Sequence, residues 1–124
     1  MTSLRVDDPE VEQGAEVHEA LTLDRVVHEP ARLAILAVLS GAAEVDFAFL
    51  LAATGLTKGN LSRQSSKLEE AGYIAIRKYF KGKIPATAYH ITPEGSSSFA
   101  RYWEQLAAIE QRVRPRATEE SNGR

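Results

Sequence analysis

Thr57, Lys58, Gly59, Asn60, Ser62, Arg63, Ser66 and Lys67 gather hydroxyl, amide and cationic side chains within one short stretch of the chain. If that stretch is helical, at ~100° per residue Leu61 and Leu68 fall about 20° apart and must face a core. Gly59, Asn60, Ser62, Arg63, Ser66 and Lys67 spread over the opposite side. Arg and Asn forks match base edges, whereas Lys and the hydroxyls bond phosphate oxygens, so the chemistry on offer is recognition of a polyanion. Gly59 lets the first turn approach a phosphate closely, and the free N–H groups there favour an anion. An ordinary solvated helix face has a similar composition. What separates the two readings is the segment that follows, where Arg77, Lys78, Lys81 and Lys83 add a second basic group.

Bond-making chemistry finds little support. His18, His28 and His90 are scattered without metal-ligand spacing, and the chain of 124 residues contains no Cys. Thiolate metal sites, disulfides and cysteine nucleophiles are therefore excluded. No glycine-rich phosphate loop, nucleophile elbow or His-Glu metal helix occurs. His28 and His90 read as hydrogen-bonded structural residues. The expectation is a protein that is not an enzyme, with no cofactor and no metal. The longest apolar stretch, Leu33 to Leu39, is far short of the roughly 20 residues that span a bilayer, and no apolar signal core opens the chain. A cytoplasmic protein without a membrane partner is expected.

The elements that would position the basic residues are legible in the pattern. Leu21, Leu23, Val26 and Val27 suggest a short helix closing near His28. Pro30 suits the first turn of a second helix over residues 31–40, ended by Gly41. Val45-Asp46-Phe47 reads as a very short strand or extended link, followed by a helix over 48–54 presenting Phe49, Leu50 and Leu51. Thr57 is the expected N-cap of the next helix, which runs to about Ala71 with Gly72 as its stop. Two helices joined by a short Gly-containing turn are a helix-turn-helix. Residues 73–80 and 86–92 are rich in β-branched and aromatic types, with Lys81-Gly82-Lys83 as a hairpin tip. Tyr73, Tyr79, Phe80 and Tyr89 are expected to pack within that hairpin. Thr92-Pro93-Glu94 starts a last helix reaching about Val113. The fold class is mainly α with a small β-hairpin, a winged helix-turn-helix. Residues 1–18 form an acidic flexible arm, 19–113 the folded domain and 114–124 a disordered tail.

Charge is divided along this order. Residues 1–24 carry seven acids and one base, whereas residues 57–90 carry seven bases and two acids, although the whole chain has a formal net charge of −2. Local density, not the average, is what a phosphate backbone responds to.

Five segments in this order carry a family resemblance: His28-Glu-Pro-Ala-Arg-Leu-Ala-Ile-Leu-Ala-Val-Leu; Val45-Asp-Phe-Ala-Phe-Leu; Leu56-Thr-Lys-Gly-Asn-Leu-Ser-Arg; Leu68-Glu-Glu-Ala-Gly-Tyr-Ile; and Phe80-Lys-Gly-Lys-Ile-Pro-Ala-Thr with Ile91-Thr-Pro-Glu-Gly. Over about residues 21–113 the chain resembles the small MarR/ArsR-like winged-helix transcriptional regulators. The resemblance implies a homodimer that binds double-stranded DNA through the recognition helix and wing, usually as a repressor. One departure is Ser65, where the resembled helices commonly carry Leu. Facing the core, its hydroxyl is expected to bond the carbonyl four residues back. Ser96-Ser97-Ser98 is a second departure, since Ser is a mediocre helix former.

Phe99, Tyr102, Leu106, Ile109 and Val113 repeat at spacings of 3 and 4, with Trp103 beside them, which is the seam of a coiled coil. Packing against the chain's own first helices is the bland account of that stripe, and a partner subunit is the favoured one. A small-molecule effector pocket at such an interface is not legible. The alternative function is a winged-helix protein–protein module without DNA binding, for which the basic segment over 57–90 has no use.

Overall fold

Pro30, which has no N–H to leave unpaired, opens the first α-helix, and Glu29 caps it by accepting the Arg32 backbone N–H at 2.8 Å. In this computed structural model, which describes residues 18–114, that helix is α1 (Pro30–Ser40). A strand of two residues, β1 (Val45–Asp46), follows. Asp46 then caps α2 (Phe47–Thr54) by accepting from Phe49 N at 2.8 Å. Thr57 caps α3 (Lys58–Glu70) in the same way through Asn60 N at 3.1 Å. Strands β2 (Ile74–Lys81) and β3 (Ile84–Ile91) form the hairpin, and α4 (Pro93–Val113) ends the described chain. The sheet is antiparallel in the order β1-β3-β2. Both the winged helix-turn-helix order and the element types are those expected from the sequence.

The chain forms two units, residues 24–102 and residues 1–23 with 103–124. The first holds the core, built on Ile35, Leu36, Leu39, Leu50, Leu61 and Leu68, all 1% exposed or less. In the second, the described elements are a 3₁₀ turn, His18–Thr22, and the later turns of α4. Within it Gln105 Nε2 donates to Thr22 Oγ1 at 3.3 Å. The expected acidic arm and C-terminal tail lie, apart from His18 and Arg114, outside the described residues.

Three boundaries differ from expectation. The first helix does not run to His28. After the 3₁₀ turn, Asp24 Oδ1 accepts from the Val26 and Val27 N–H groups at 2.9 and 3.3 Å. That side-chain turn offers the backbone an alternative to helix, so the apolar residues alone mislead. Phe47 is already helical, because Asp46 rather than Phe47 takes the cap. The hairpin is also longer and tighter. Lys81 pairs with Ile84, leaving a two-residue turn at Gly82-Lys83 with Gly82 at φ +64°. Pro85 is accommodated opposite Phe80 because β1 reaches only as far as Tyr89 and Ala88 on the other side of β3.

The start of α4 is fastened to the end of α3. Thr92 Oγ1 donates to Gly72 O at 2.6 Å and accepts from Gly95 N at 3.0 Å, while Thr92 N donates to Tyr73 O at 3.0 Å. Tyr73 OH donates to Asp24 Oδ2 and is hydrogen-bonded by Ser98. Burial first, and then the Asp24 carboxylate, hold this phenol above the ordinary tyrosine range. Ser98 is buried here, which accounts for one of the three helix-opening serines. A Cβ on Gly95 would come within 2.0 Å of Tyr73 O, a backbone atom that no side-chain movement can clear. Gly95→Ala should therefore destabilise the protein by at least about 1–3 kcal/mol, read from the urea midpoint. Gly59→Ala, with nothing within 4 Å of the added carbon, should stabilise it by up to about 1 kcal/mol.

Candidate nucleic-acid interface

The helix α3 is seated by a narrow strip. Leu61 and Leu68 are fully buried, joined by Gln64 and Ser65, and the rest of its circumference is open. A polar chain fixes its rotation. Arg32 on α1 donates from Nε to Val26 O at 2.6 Å and from Nη1 to Gln64 Oε1 at 2.8 Å. Gln64 Nε2 then donates to Asn60 Oδ1 at 3.2 Å, and Arg63 Nη2 donates to the same oxygen at 3.1 Å. Asn60 is half-buried and holds the Arg63 fork on the open face. The role of Arg32 and Gln64 was not read from the sequence, because their spacing of 32 residues leaves no local signal.

The expected recognition residues divide between two flanks of α3. Thr57, Lys58, Gly59, Ser62, Arg63, Ser66 and Lys67 are all exposed. Ser62 and Ser66 look toward the hairpin, where with Lys78 they line one cleft. Lys67 lies on the other flank, in an open recess shared with Arg25, Arg32 and Glu70. Lys81 and Lys83 are exposed at the hairpin tip. Arg77 belongs to the other face of the sheet. It pairs with Glu44 at 3.0 Å and lies 4.5 Å over the Tyr79 ring. Its hydrogen bond holds the Glu44 carboxyl below the usual range, and the same contact raises the Arg77 guanidinium. One of the basic residues counted over 57–90 is thereby neutralised in place.

Several expectations need correction. Phe80 does not pack within the hairpin: it is 69% exposed, and Ile84 beside it 68%. Among the described residues no element covers the hairpin tip, so these side chains are exposed. Tyr89 is buried as expected, with burial first and Glu69's charge second raising its phenol. Ser65 Oγ is buried but has no hydrogen-bond partner, so the expected bond to the Leu61 carbonyl is not made. The apolar stripe of the last helix is split. Phe99 and Tyr102 are buried in the unit of residues 24–102, where the start of α4 lies on its own core. Tyr102 OH meets His28 Nδ1 at 2.7 Å, so His28 is hydrogen-bonded. Of the remaining positions, Trp103 and Val113 are exposed and Leu106 and Ile109 half-buried. Among the described residues no cluster of His, Asp or Glu could hold a metal ion, and no helix is long and apolar enough to cross a membrane.

A polar, basic helix set beside a basic two-stranded wing defines the winged-helix class of nucleic-acid-binding folds. Comparison with known proteins leads to the same class. Residues 31–109 match the family described as winged helix DNA-binding domain, and the chain belongs to it. An uncharacterized protein of Methanocaldococcus jannaschii is 30% identical over 90 residues, covering 72% of this chain and 97% of its own. A transcriptional regulator homologue from Pyrococcus horikoshii OT3 superposes with a TM-score of 0.69 at 24% identity, over 77% of this chain and 94% of its own. A MarR-family transcriptional regulator from Silicibacter pomeroyi gives a TM-score of 0.55 at 19% identity, over 92% and 77%. The architecture shared with these structures is the winged helix.

Arg32→Met would retain much of the aliphatic length and strand Gln64 Oε1 and Val26 O without donors. The variant should lose roughly 1–3 kcal/mol of stability, measured by urea denaturation. A second substitution, Gln64→Leu, should recover part of that loss by removing one of the orphaned acceptors.

Proposed function

We propose that this protein is a sequence-specific regulator of transcription that binds double-stranded DNA as a homodimer and acts as a repressor. The observation that carries the reading is the open face of α3, with Arg63 braced on Asn60, beside the exposed Lys78, Lys81 and Lys83 of the hairpin. Arg63 has the planar fork that grips guanine in a major groove, and the lysines and serines suit phosphates. Leu106, Ile109, Trp103 and Val113 are the residues through which a second copy would be met. A protein-binding role without DNA would draw on the exposed Phe80 and Ile84, but these stand among lysines rather than in an apolar patch.

Salt dependence tests the DNA reading directly. With about eight phosphate contacts per dimer, the log–log slope of affinity against salt should be on the order of −5 to −8. Lys81→Ala should flatten it without changing sequence preference. Arg63→Ala should cost roughly 1–3 kcal/mol at a selected site and relax choice at one base position. A slope near zero would exclude DNA as the partner, and uniform weakening by Arg63→Ala would reassign that residue to a phosphate.

Dimerisation is tested separately. Paired recognition helices must be held about 34–36 Å apart to enter successive major grooves. Leu106→Glu with Ile109→Glu would place unpaired charges in the seam, where burial is costly. Light scattering should then report a monomer, circular dichroism an unchanged helical content, and a DNA titration sharply weakened operator binding. A persisting dimer would move the interface elsewhere.

A further inference from the structure

Between α3 and the hairpin lies a cleft of about 230 Å³ whose polar lining is Ser62, Ser65, Ser66, Lys78 and Thr87. We infer that this cleft is an oxyanion site that takes a phosphate-like group. Its donors come from two rigid elements. Ser62 and Ser66 are one helical turn apart on α3, and Lys78 and Thr87 are direct cross-strand partners of β2 and β3. Ser65 lies with them, 1% exposed, its hydroxyl without a hydrogen-bond partner. A buried hydroxyl left in that condition is costly, and native folds rarely tolerate one without a role.

The lining selects the class of ligand. Lys78 offers donors and no acceptor, which turns away cations. No carboxylate or amide side chain lines the cleft, so a neutral polyol would find no acceptor fork to bind its paired OH groups. Four hydroxyls around one ammonium suit a group made of acceptor oxygens with negative charge. The remaining walls are Phe47, Ile76 and Tyr89, whose apolar surface limits the screening of that charge. Glu69 acts on Tyr89 but does not line the cleft.

Two sources supply this chemistry. One is a phosphodiester of duplex DNA, because the cleft joins the two elements assigned to DNA; this source rests on the proposed function. The other is a free small phosphate, which needs no DNA. The full chain titrated with inorganic phosphate, against sodium chloride at matched ionic strength, separates them by two-dimensional ¹H–¹⁵N NMR. Phosphate should give saturable shifts at the amides of Ser62, Ser65, Ser66, Lys78 and Thr87. Thr87→Val and Ser65→Ala, each nearly isosteric, should keep the dispersed spectrum and weaken phosphate binding roughly tenfold. If the occupant is DNA backbone, a duplex of about 20 base pairs at low salt should abolish the phosphate shifts, and Thr87→Val should also weaken the duplex. If it is a free anion, phosphate should still titrate in the duplex-bound protein. Duplex binding that fails while the phosphate shifts persist would sink the DNA reading alone. Shifts equal in chloride and phosphate, or unaltered in both variants, would overturn the oxyanion site, whatever the duplex does.

Discussion

The structure turns on a helix that has to be held firmly while offering most of its surface. Leu61 and Leu68 bury a single line of α3, and two leucines one over the other fix a helix's position better than its rotation. Rotation is what decides which side chains face outward. The chain from Val26 through Arg32 and Gln64 to Asn60 supplies that constraint, because its hydrogen bonds lose geometry if α3 turns about its axis. Arg63 is the last member, so the group offered outward and the group that anchors the helix share one acceptor, Asn60 Oδ1. The cost of this device is a half-buried guanidinium, which is tolerable only because its donors are met.

The wing obeys a different constraint. A two-stranded hairpin alone is marginal in water, and this one is supported only at its base. There β1 adds a third strand beside Ala88 and Tyr89, and the Gly72–Tyr73 corner locks into Thr92 and Gly95. The close backbone approach at Gly95 draws the start of α4 against the same corner. Support declines toward the tip, where Phe80, Lys81, Lys83 and Ile84 are exposed. The pairing of Arg77 with Glu44 on the far face leaves Lys78 as the base on the side of α3. Charge is therefore sorted by the two-residue period of the strand, a distinction that a count over residues 57–90 does not make.

Much of this was legible in the sequence where local chemistry decides structure. Thr57 and Pro30 mark helix starts because they act on orphan N–H groups within one turn, and Gly72 and Gly82 mark reversals through positive φ. The polar face of α3 follows from period alone. What was not legible depends on partners distant in sequence. A 3-4 stripe cannot say whether its cover is the same chain or another, and Phe99 and Tyr102 are covered by their own unit while Trp103 and Val113 are exposed. Phe80 carries strand propensity in its residue type, but its exposure comes from the reach of the hairpin beyond α3. The Arg32–Gln64 bond and the Glu44–Arg77 pair join residues more than thirty apart, beyond any pattern of spacing.

Ser65 shows how the two constraints can be separated in one helix. A leucine at this core-facing position, as the resembled pattern carries, would add apolar contact on the hairpin side of α3. A buried leucine is worth roughly 1.5–3 kcal/mol over an exposed one. Serine gives up that contribution and buries an unpaired hydroxyl as well, so the position is doubly unfavourable as packing. The helix nevertheless keeps Leu61 and Leu68, and its rotation is set from the α1 side by Arg32 rather than from the wing. The loss falls on the flank of α3 that bears least of its anchoring. That arrangement leaves the space between helix and hairpin polar without loosening the face that carries Asn60 and Arg63.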